Sequence, residues 1–239
     1  MVIVMSKIGV FDSGIGGLTV LEKLVEVLPN EDFLYYGDSK NCPYGTKNQE
    51  ELMTIVSRIV DYFIKNDCKL IVIACNTATT RCMKELRVLY PNVIFVGTVP
   101  AVKMACDNNC HNTLVLATEG TIASERVHEL VLDNKRVDQN IYLVPCSGLA
   151  SAIESKDNKL IDKVLLSCLD KYLDKNIDSI VLGCTHYPWA KDNISKLFPN
   201  ARLFDGALGV SNEVKRQLIN NNLISNNLKG SVTILETID

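Results

Sequence analysis

Two cysteines stand out because each ends the same kind of run. Cys75 follows Leu70-Ile71-Val72-Ile73-Ala74 and precedes Asn76-Thr77, and Cys184 follows Ser179-Ile180-Val181-Leu182-Gly183 and precedes Thr185-His186. A continuous β-branched and aliphatic run reads as a buried strand of a parallel sheet. Each thiol therefore falls at a strand's carboxyl end, where open α/β sheets place their ligand crevice. A helix starting there lowers a thiol pKa from about 8.5 toward neutrality through the positive field at its N-terminus. A thiol in that state can take or return a proton.

The neighbours suit the same chemistry. His186 lies two residues after Cys184, where an imidazole can accept or supply a thiol's proton. Cys-x-His also fits half of a metal site, but no second paired motif offers the other ligands zinc needs, so no metal is expected. Asp12 opens the run Asp12-Ser13-Gly14-Ile15-Gly16-Gly17. Its glycines allow close backbone approach to a ligand, but the run is not the G-x-G-x-x-G of dinucleotide binding, and a carboxylate there repels phosphate. Asp12 is read as orienting an ammonium group or a thiol, against the plainer role of a helix cap. Asn76, Thr77 and Thr185 offer neutral hydrogen bonds beside the thiols, and capping is their plainer role too. Cys42, Cys68, Cys82, Cys106, Cys110 and Cys168 read as small buried side chains, with Cys146 undecided. His111 and His128 read as surface residues.

The elements that must hold these residues alternate. Strands are expected at Ile8–Phe11, Phe33–Tyr36, Leu70–Ala74 and Val93–Val96, with helices over Leu18–Leu28, Glu50–Lys65, Thr79–Leu89 and Ala101–Cys106. The pattern then restarts. Strands fall at Thr113–Leu116, Ile141–Val144, Ile180–Leu182 and Ala201–Phe204, and helices over Ile122–Leu132, Leu149–Glu154, Leu160–Leu173 and Ala190–Leu197. A helix over Val210–Leu218 and a strand over Ser231–Leu235 finish the chain. This alternation argues for α/β architecture with mainly parallel sheets. The turn after Leu116 answers the turn after Phe11, and Cys184 answers Cys75, so two similar lobes are expected, each a mainly parallel sheet flanked by helices and facing the other. Two acid–base thiols on facing lobes suit a reaction that removes a proton from one side of a carbon and returns it to the other: racemisation or epimerisation next to a carboxylate.

Composition sets limits. The chain has 239 residues, 47% hydrophobic and 22% charged, with a formal charge of −3, an ordinary globular balance with no electrostatic case for nucleic-acid binding. No apolar run approaches the roughly 20 residues that span a bilayer. Met1–Lys7 is too short for a signal peptide and lacks a basic leader, and Met5 is a second candidate start. Nine cysteines without paired CxxC motifs fit reduced thiols and a cytoplasmic setting.

Five motifs, Phe11-Asp12-Ser13-Gly14-Ile15-Gly16-Gly17, Tyr36-Gly37-Asp38, Pro43-Tyr44-Gly45, Ala74-Cys75-Asn76-Thr77-Ala78-Thr79 and Gly183-Cys184-Thr185-His186-Tyr187-Pro188, resemble in type and order those of glutamate racemases, of the cofactor-independent aspartate/glutamate racemase superfamily. The resemblance implies an N-terminal lobe of residues 1–96 plus 210–239, a second lobe of 97–209, and an active site in the cleft between them. It implies Cys75 and Cys184 as the acid–base pair, with Asp12 supporting Cys75, His186 supporting Cys184, and Glu154 as the second site's carboxylate. Asp12, Ser13, Pro43, Tyr44, Gly45, Asn76, Thr77, Thr118, Thr121, Thr185 and His186 match positions that hold substrate. No cofactor, a glutamate substrate, a homodimer and D-glutamate supply for peptidoglycan are also implied. The chain departs from the family's pattern at Val127, often a tyrosine, in the segment Cys146–Ala152, usually richer in proline, and in a short C-terminal extension. A racemase acting on aspartate or another amino acid is one alternative. A non-catalytic binding or regulatory protein on the same fold is another, and a metal- or redox-sensing thiol protein a weaker third.

Overall fold

The computed structural model describes residues 6–237; the alternative start at Met5 lies outside the described residues, as does most of the Met1–Lys7 segment. Along the chain come β1 (Lys7–Asp12), α1 (Leu18–Val27), β2 (Asp32–Gly37), α2 (Gln49–Lys65), β3 (Cys68–Ile73), α3 (Asn76–Leu89) and β4 (Phe95–Gly97). There follow α4 (Val102–Asp107), β5 (Asn112–Ala117), α5 (Glu119–Ile122), α6 (Glu125–Asn134), β6 (Asn140–Pro145), α7 (Leu149–Glu154), α8 (Asn158–Leu169), β7 (Ser179–Leu182), α9 (Lys191–Leu197) and β8 (Arg202–Phe204). Last come α10 (Ala207–Asn220) and β9 (Val232–Glu236). The chain divides into two compact units, one running to Thr98 and resuming at Ala207, the other Val99–Gly206. The architecture is the expected one, two parallel-sheet α/β lobes flanked by helices.

In the first unit the strand order is β4-β3-β1-β2-β9, and every pairing is parallel. Alternate residues face opposite layers. Phe11, Leu34, Ile71 and Ile73 pack with the buried stripe Leu52, Val56, Ile59, Val60 and Phe63 of α2. Ile8, Val10, Phe33, Leu70 and Val72 pack with Val20, Leu21 and Leu24 of α1 and Val210, Val214 and Leu218 of α10. Helix α2 starts where Asn48 caps it by accepting from the Glu51 amide, with acidic residues in its first turn and Lys65 in its last, matching the helix dipole. At the sheet's amino end Lys69 and Glu31 form a buried ion pair at 2.6 Å, their side chains 4% and 2% exposed. The Lys69 ammonium also donates to the Leu223 carbonyl, and Glu31 accepts from the Ser225 amide, each at 2.7 Å. The pair thus fastens the segment leading into β9.

In the second unit the order is β6-β5-β7-β8, again all parallel. One face, with Leu114, Leu116, Ile180 and Leu182, is covered by Leu149, Ile153, Ile161, Leu165 and Ile194 from α7, α8 and α9. On the other, Val115 and Val181 meet Val102, Ala105 and Cys106 of α4.

Several elements differ from the pattern read in the sequence: β4 covers Phe95–Gly97 rather than Val93–Val96, and α10 begins at Ala207 rather than Val210. Helix α3 begins at Asn76 rather than Thr79. The helix expected over Ile122–Leu132 is broken into α5 and α6, because Ser124 caps α6 by accepting from the Val127 amide. The helix expected over Leu160–Leu173 begins at Asn158, capped by Asp157, and ends in a 3₁₀ turn at Asp170–Tyr172.

Candidate active site

Strand order decides where chemistry can sit. In the first sheet β1 is flanked by β3 on one side and β2 on the other, so the chain winds away in opposite directions from the β1/β3 boundary. In the second sheet the same reversal lies between β5 and β7. Such switch points open a crevice at the carboxyl ends of the strands. Asp12 and Ser13 leave β1 there, and Cys75 and Asn76 leave β3 beside them. Thr118 leaves β5, and Cys184 leaves β7.

At the first switch point Cys75 is the N-cap of the 14-residue α3, so the helix's positive end lies at its thiol. Its sulfur lies 3.7 Å from the Ser13 hydroxyl. Asp12 is fully buried, and its Oδ2 accepts from the Gly17 amide at 2.9 Å and the Gly14 amide at 3.3 Å. The capping role weighed for Asp12 is therefore real for this oxygen. Tyr35 donates to the Gly14 carbonyl at 2.7 Å, and a Cβ on Gly17 would lie 2.4 Å from that of Asp12, so this turn requires glycine. Asn76 and Thr77 are buried in the first turn of α3, and Asn76 Oδ1 is buried with no hydrogen-bond donor from the described residues.

The loop after β2 carries Pro43, Tyr44 and Gly45. Tyr44 is 1% exposed and donates its phenol to Asp38 Oδ2 at 2.6 Å. Burial first, then the charge and hydrogen bond of Asp38, then Cys75 and Asp12, push the Tyr44 pKa far up. The phenol stays protonated and fixed on Asp38, and it is the backbone of the 3₁₀ turn Tyr44–Thr46, with its leading amides outside any intrahelical bond, that can meet a ligand. The Asp38 amide in turn donates to the Asp12 carbonyl at 2.9 Å.

The second switch point is built differently. Cys184 is followed by a 3₁₀ turn at Tyr187–Ala190 before the short α9, so the helix field expected at its thiol is not supplied by an α-helix starting at that residue. An imidazole stands there instead. Cys184 Sγ is 3.8 Å from His186 Nδ1, and His186 Nε2 is 2.6 Å from Glu154 Oε1. A carboxylate on Nε2 fixes the tautomer that carries its proton there, which leaves Nδ1 as the acceptor facing the thiol. His186 is 1% exposed and the Glu154 side chain 26%. Thr118 caps α5 and donates to Thr121 Oγ1 at 3.0 Å, while Thr185 is buried. Tyr187, wholly buried, donates to the Cys146 carbonyl at 3.3 Å, and burial followed by the Cys184 charge raises its pKa well above the phenol range.

Both half-sites thus set a cysteine at a switch point, in the same strand of two similar sheets. The sequence profile described as Asp/Glu/Hydantoin racemase matches residues 8–209. The chain belongs to the Asp/Glu/Hydantoin racemase family. Among members of the family, the glutamate racemase of Clostridium novyi (strain NT) is 40% identical, over 100% of this chain and 94% of that protein. That of Clostridium perfringens (strain 13 / Type A) is 39% identical, over 98% and 92%. Of solved structures, glutamate racemase isoform RacE1 from Bacillus anthracis matches with a TM-score of 0.87 at 28% identity, over 98% of this chain and 89% of that one. Glutamate racemase from Francisella tularensis, solved in complex with D-glutamate, matches with a TM-score of 0.84 at 31% identity over the same shares.

Within the first unit of this family member, Asp12, Ser13, Cys75, Asn76 and Thr77 come together at the switch point, and Tyr44 joins them through Asp38. Pro43, whose peptide bond to Cys42 is cis, and Gly45 flank Tyr44. Within the second unit, Cys184, His186 and Glu154 form one chain of contacts, Thr118 and Thr121 sit at the end of the neighbouring strand β5, and Thr185 lies between the thiol and the histidine. Val127 is fully buried on α6.

Two groups were missed. Asp38 belonged to a quoted motif but had been given no role. Cys168 reads in the sequence as a small buried thiol, yet it and Cys146 influence each other's ionisation, while the Cys146 thiol itself donates to the Val144 carbonyl at 3.8 Å. The neighbouring Cys146 lowers the Cys168 thiol to about 7 against the opposing effect of burial, and Cys168 together with burial raises Cys146 well above the usual range. Cys68 and Cys82 behave as the sequence implied, burial pushing each up to about 12. No helix of the described residues is long and apolar enough to cross a membrane.

Proposed function

We propose that this chain interconverts L- and D-glutamate by a two-thiol mechanism, with Cys75 and Cys184 as the acid–base pair. The observation that carries the proposal is the equivalence of the two cysteines, each at the carboxyl end of the strand beyond its sheet's switch point. The names of relatives 40% identical over the whole chain support glutamate as substrate, as does D-glutamate bound in the structural neighbour from Francisella tularensis.

In this scheme one sulfur serves each face of the substrate's α-carbon. One cysteine enters as thiolate and takes the α-proton, becoming a thiol. The electron pair of the broken C–H bond moves onto the α-carbon and its carboxylate. The other cysteine, entering as thiol, delivers its proton to the opposite face and leaves as thiolate. The pair has then exchanged protonation states, ready for the reverse direction. Amide and hydroxyl donors at the strand ends stabilise the charge that develops on the carboxylate. Asn76, with its buried acceptor oxygen, and Asp12 suit the substrate ammonium, and the Pro43–Gly45 turn with Thr118, Thr121 and Thr185 suits the two carboxylates. His186, held by Glu154, accepts the Cys184 proton when that thiol must ionise; Ser13 and the α3 N-terminus favour the thiolate of Cys75. The protein acts without a cofactor, as a cytoplasmic homodimer supplying D-glutamate for peptidoglycan; two-fold assemblies are the commonest.

The decisive experiment incubates single enantiomers of glutamate in D₂O with chiral and mass analysis of early product. Product should carry solvent deuterium at the α-position while remaining substrate stays largely unlabelled, and Cys75→Ala or Cys184→Ala should abolish racemisation. Early product retaining the original proton, or rapid racemisation by either variant, would defeat the two-thiol mechanism. Faster turnover of aspartate would move the substrate assignment and leave the mechanism standing.

A further inference from the structure

The C-terminal strand reaches the substrate loop of its own lobe. Strand β9 lies along β2 with Gly37 opposite Glu236, which brings the residues after each strand side by side. The Thr237 amide donates to the Gly37 carbonyl at 2.9 Å. The Thr237 hydroxyl accepts from the Lys40 amide at 3.2 Å and donates to Asp38 Oδ1 at 3.2 Å, sharing its proton with the Gly37 carbonyl at 3.3 Å. Beside it, the Ser39 hydroxyl donates to Glu236 at 2.8 Å.

Asp38 is the junction. Its carboxylate is 2% exposed and takes four contacts: Thr237, both Oδ atoms from the Asn41 amide at 2.9 and 3.0 Å, and the Tyr44 phenol at 2.6 Å. A buried carboxylate needs such donors, since each unmet lone pair costs free energy. Removing one donor leaves Asp38 to recruit another by moving, and what moves with it is Asn41 and Tyr44, the ends of the loop that carries Pro43 and Gly45. The Asp38 amide is meanwhile fixed to the Asp12 carbonyl, so the loop is referenced to the first switch point through the backbone and to β9 through side chains.

We infer that Thr237 is a positioning residue for substrate binding: its hydroxyl latches the Pro43–Gly45 loop, acting through Asp38 on Tyr44. The two partners are 199 residues apart in sequence, and Thr237 shares Asp38 Oδ1 with the Asn41 amide of the loop itself, so it is the donor that ties this oxygen to β9. This rests on the assignment of that loop to the substrate under the proposed function.

Thr237→Val keeps the side chain's shape and its strand-compatible branching, and removes only the hydroxyl. Two readouts test the latch. Amide hydrogen exchange of the ligand-free protein should quicken about tenfold at Lys40 and through residues 39–46, because the Lys40 amide loses its acceptor and the loop its tie. Kinetics with glutamate should show KM raised about three- to tenfold with kcat within about twofold, the signature of lost binding rather than lost chemistry. Thr237→Ser, which restores the hydroxyl, should return both toward the parent. In a Tyr44→Phe background the Thr237→Val change should cost less than in the parent, since the chain through Asp38 is already cut. Unchanged exchange in the loop overturns the inference, as does quickened exchange with parental KM, or full additivity with Tyr44→Phe. If the parent protein fails to racemise glutamate, the proposed function falls, and the exchange measurement alone decides the latch.

Discussion

Replacing His186 by asparagine separates a proton relay from a substrate holder. In the second half-site the imidazole touches the thiol at 3.8 Å and the Glu154 carboxylate at 2.6 Å. If the thiol proton passes to Nδ1, an imidazolium–thiolate pair forms at that distance. At an effective dielectric of ~20 the pair is worth about 4 kcal/mol before desolvation is counted. Burial of both groups offsets part of this, and about 3 kcal/mol remains, or a loss on the order of 10²-fold in kcat for His186→Asn. Glu154→Gln keeps a hydrogen-bond partner for Nε2 and deletes its charge, so it should cost about 10- to 30-fold, the worth of one charge-assisted bond. The assay is circular dichroism or coupled detection of each enantiomer in both directions. L- and D-glutamate have the same free energy in water, so kcat/KM must fall by one and the same factor in both directions. The separate kcat values are free to diverge, and the direction in which Cys184 takes the proton should lose more. A kcat within about threefold of the parent, with only KM altered, would refute the relay and leave His186 as a binding group.

The Cys146–Cys168 pair should reveal itself to alkylation. Cys168 should react with iodoacetamide with a midpoint near pH 7, its thiol lying at about 7, while Cys68 and Cys82, pushed up to about 12, stay unlabelled in the native protein. Cys146→Ala removes the neighbouring thiol that lowers Cys168, so the midpoint should move up toward that of an ordinary thiol; an unmoved midpoint would deny the pairing. Lys69→Met strands the buried Glu31 carboxylate and should cost about 3 kcal/mol, read as a lower urea midpoint at constant slope. Gly17→Ala forces a Cβ to within 2.4 Å of Asp12 and should destabilise by about 1–3 kcal/mol through overpacking, with activity falling further than stability because Asp12 is the group displaced.

The switch-point thiols were legible because strand β3 is buried throughout and so is β7: a continuous apolar run leaves little choice but a central parallel strand, and the first small polar residues after it mark the crevice. Short-range partners such as Cys184 and His186, two residues apart, could be read the same way. The early start of α3 was less visible, since Cys75 caps through its backbone alone and Asn76 and Thr77 are ordinarily poor helix residues; burial of that turn overrides propensity. The break at Ser124 was hidden because the apolar spacing of Ile122, Val127 and Leu130 continues across it. Contacts that depend on strand order were out of reach. Thr237 meets Asp38 only because β9 adds itself to β2 in parallel, and Cys168 meets Cys146 only because α8 lies against the end of β6, and neither pairing leaves a periodic trace in the chain.

The first unit is assembled from both ends of the chain around an uninterrupted second one, and this orders events at the ribosome. Residues 99–206 can collapse as soon as they emerge, because every strand of their sheet is contiguous. The earlier segment must wait with the α1 side of its sheet only partly covered until Val210, Val214 and Leu218 arrive, and β2, paired with β1 on one side, keeps its other edge open until β9 is made. Domains fold vectorially during synthesis, and surface exposed in that interval is where chains aggregate. The nascent chain therefore carries an incomplete first lobe until α10 and β9 have been made, and the tie from Thr237 to the loop holding Tyr44 forms only then. A circular permutant opened between Asn221 and Gly230, with β9 placed ahead of β1, would let that lobe close from its own N-terminal side and should shorten the vulnerable interval.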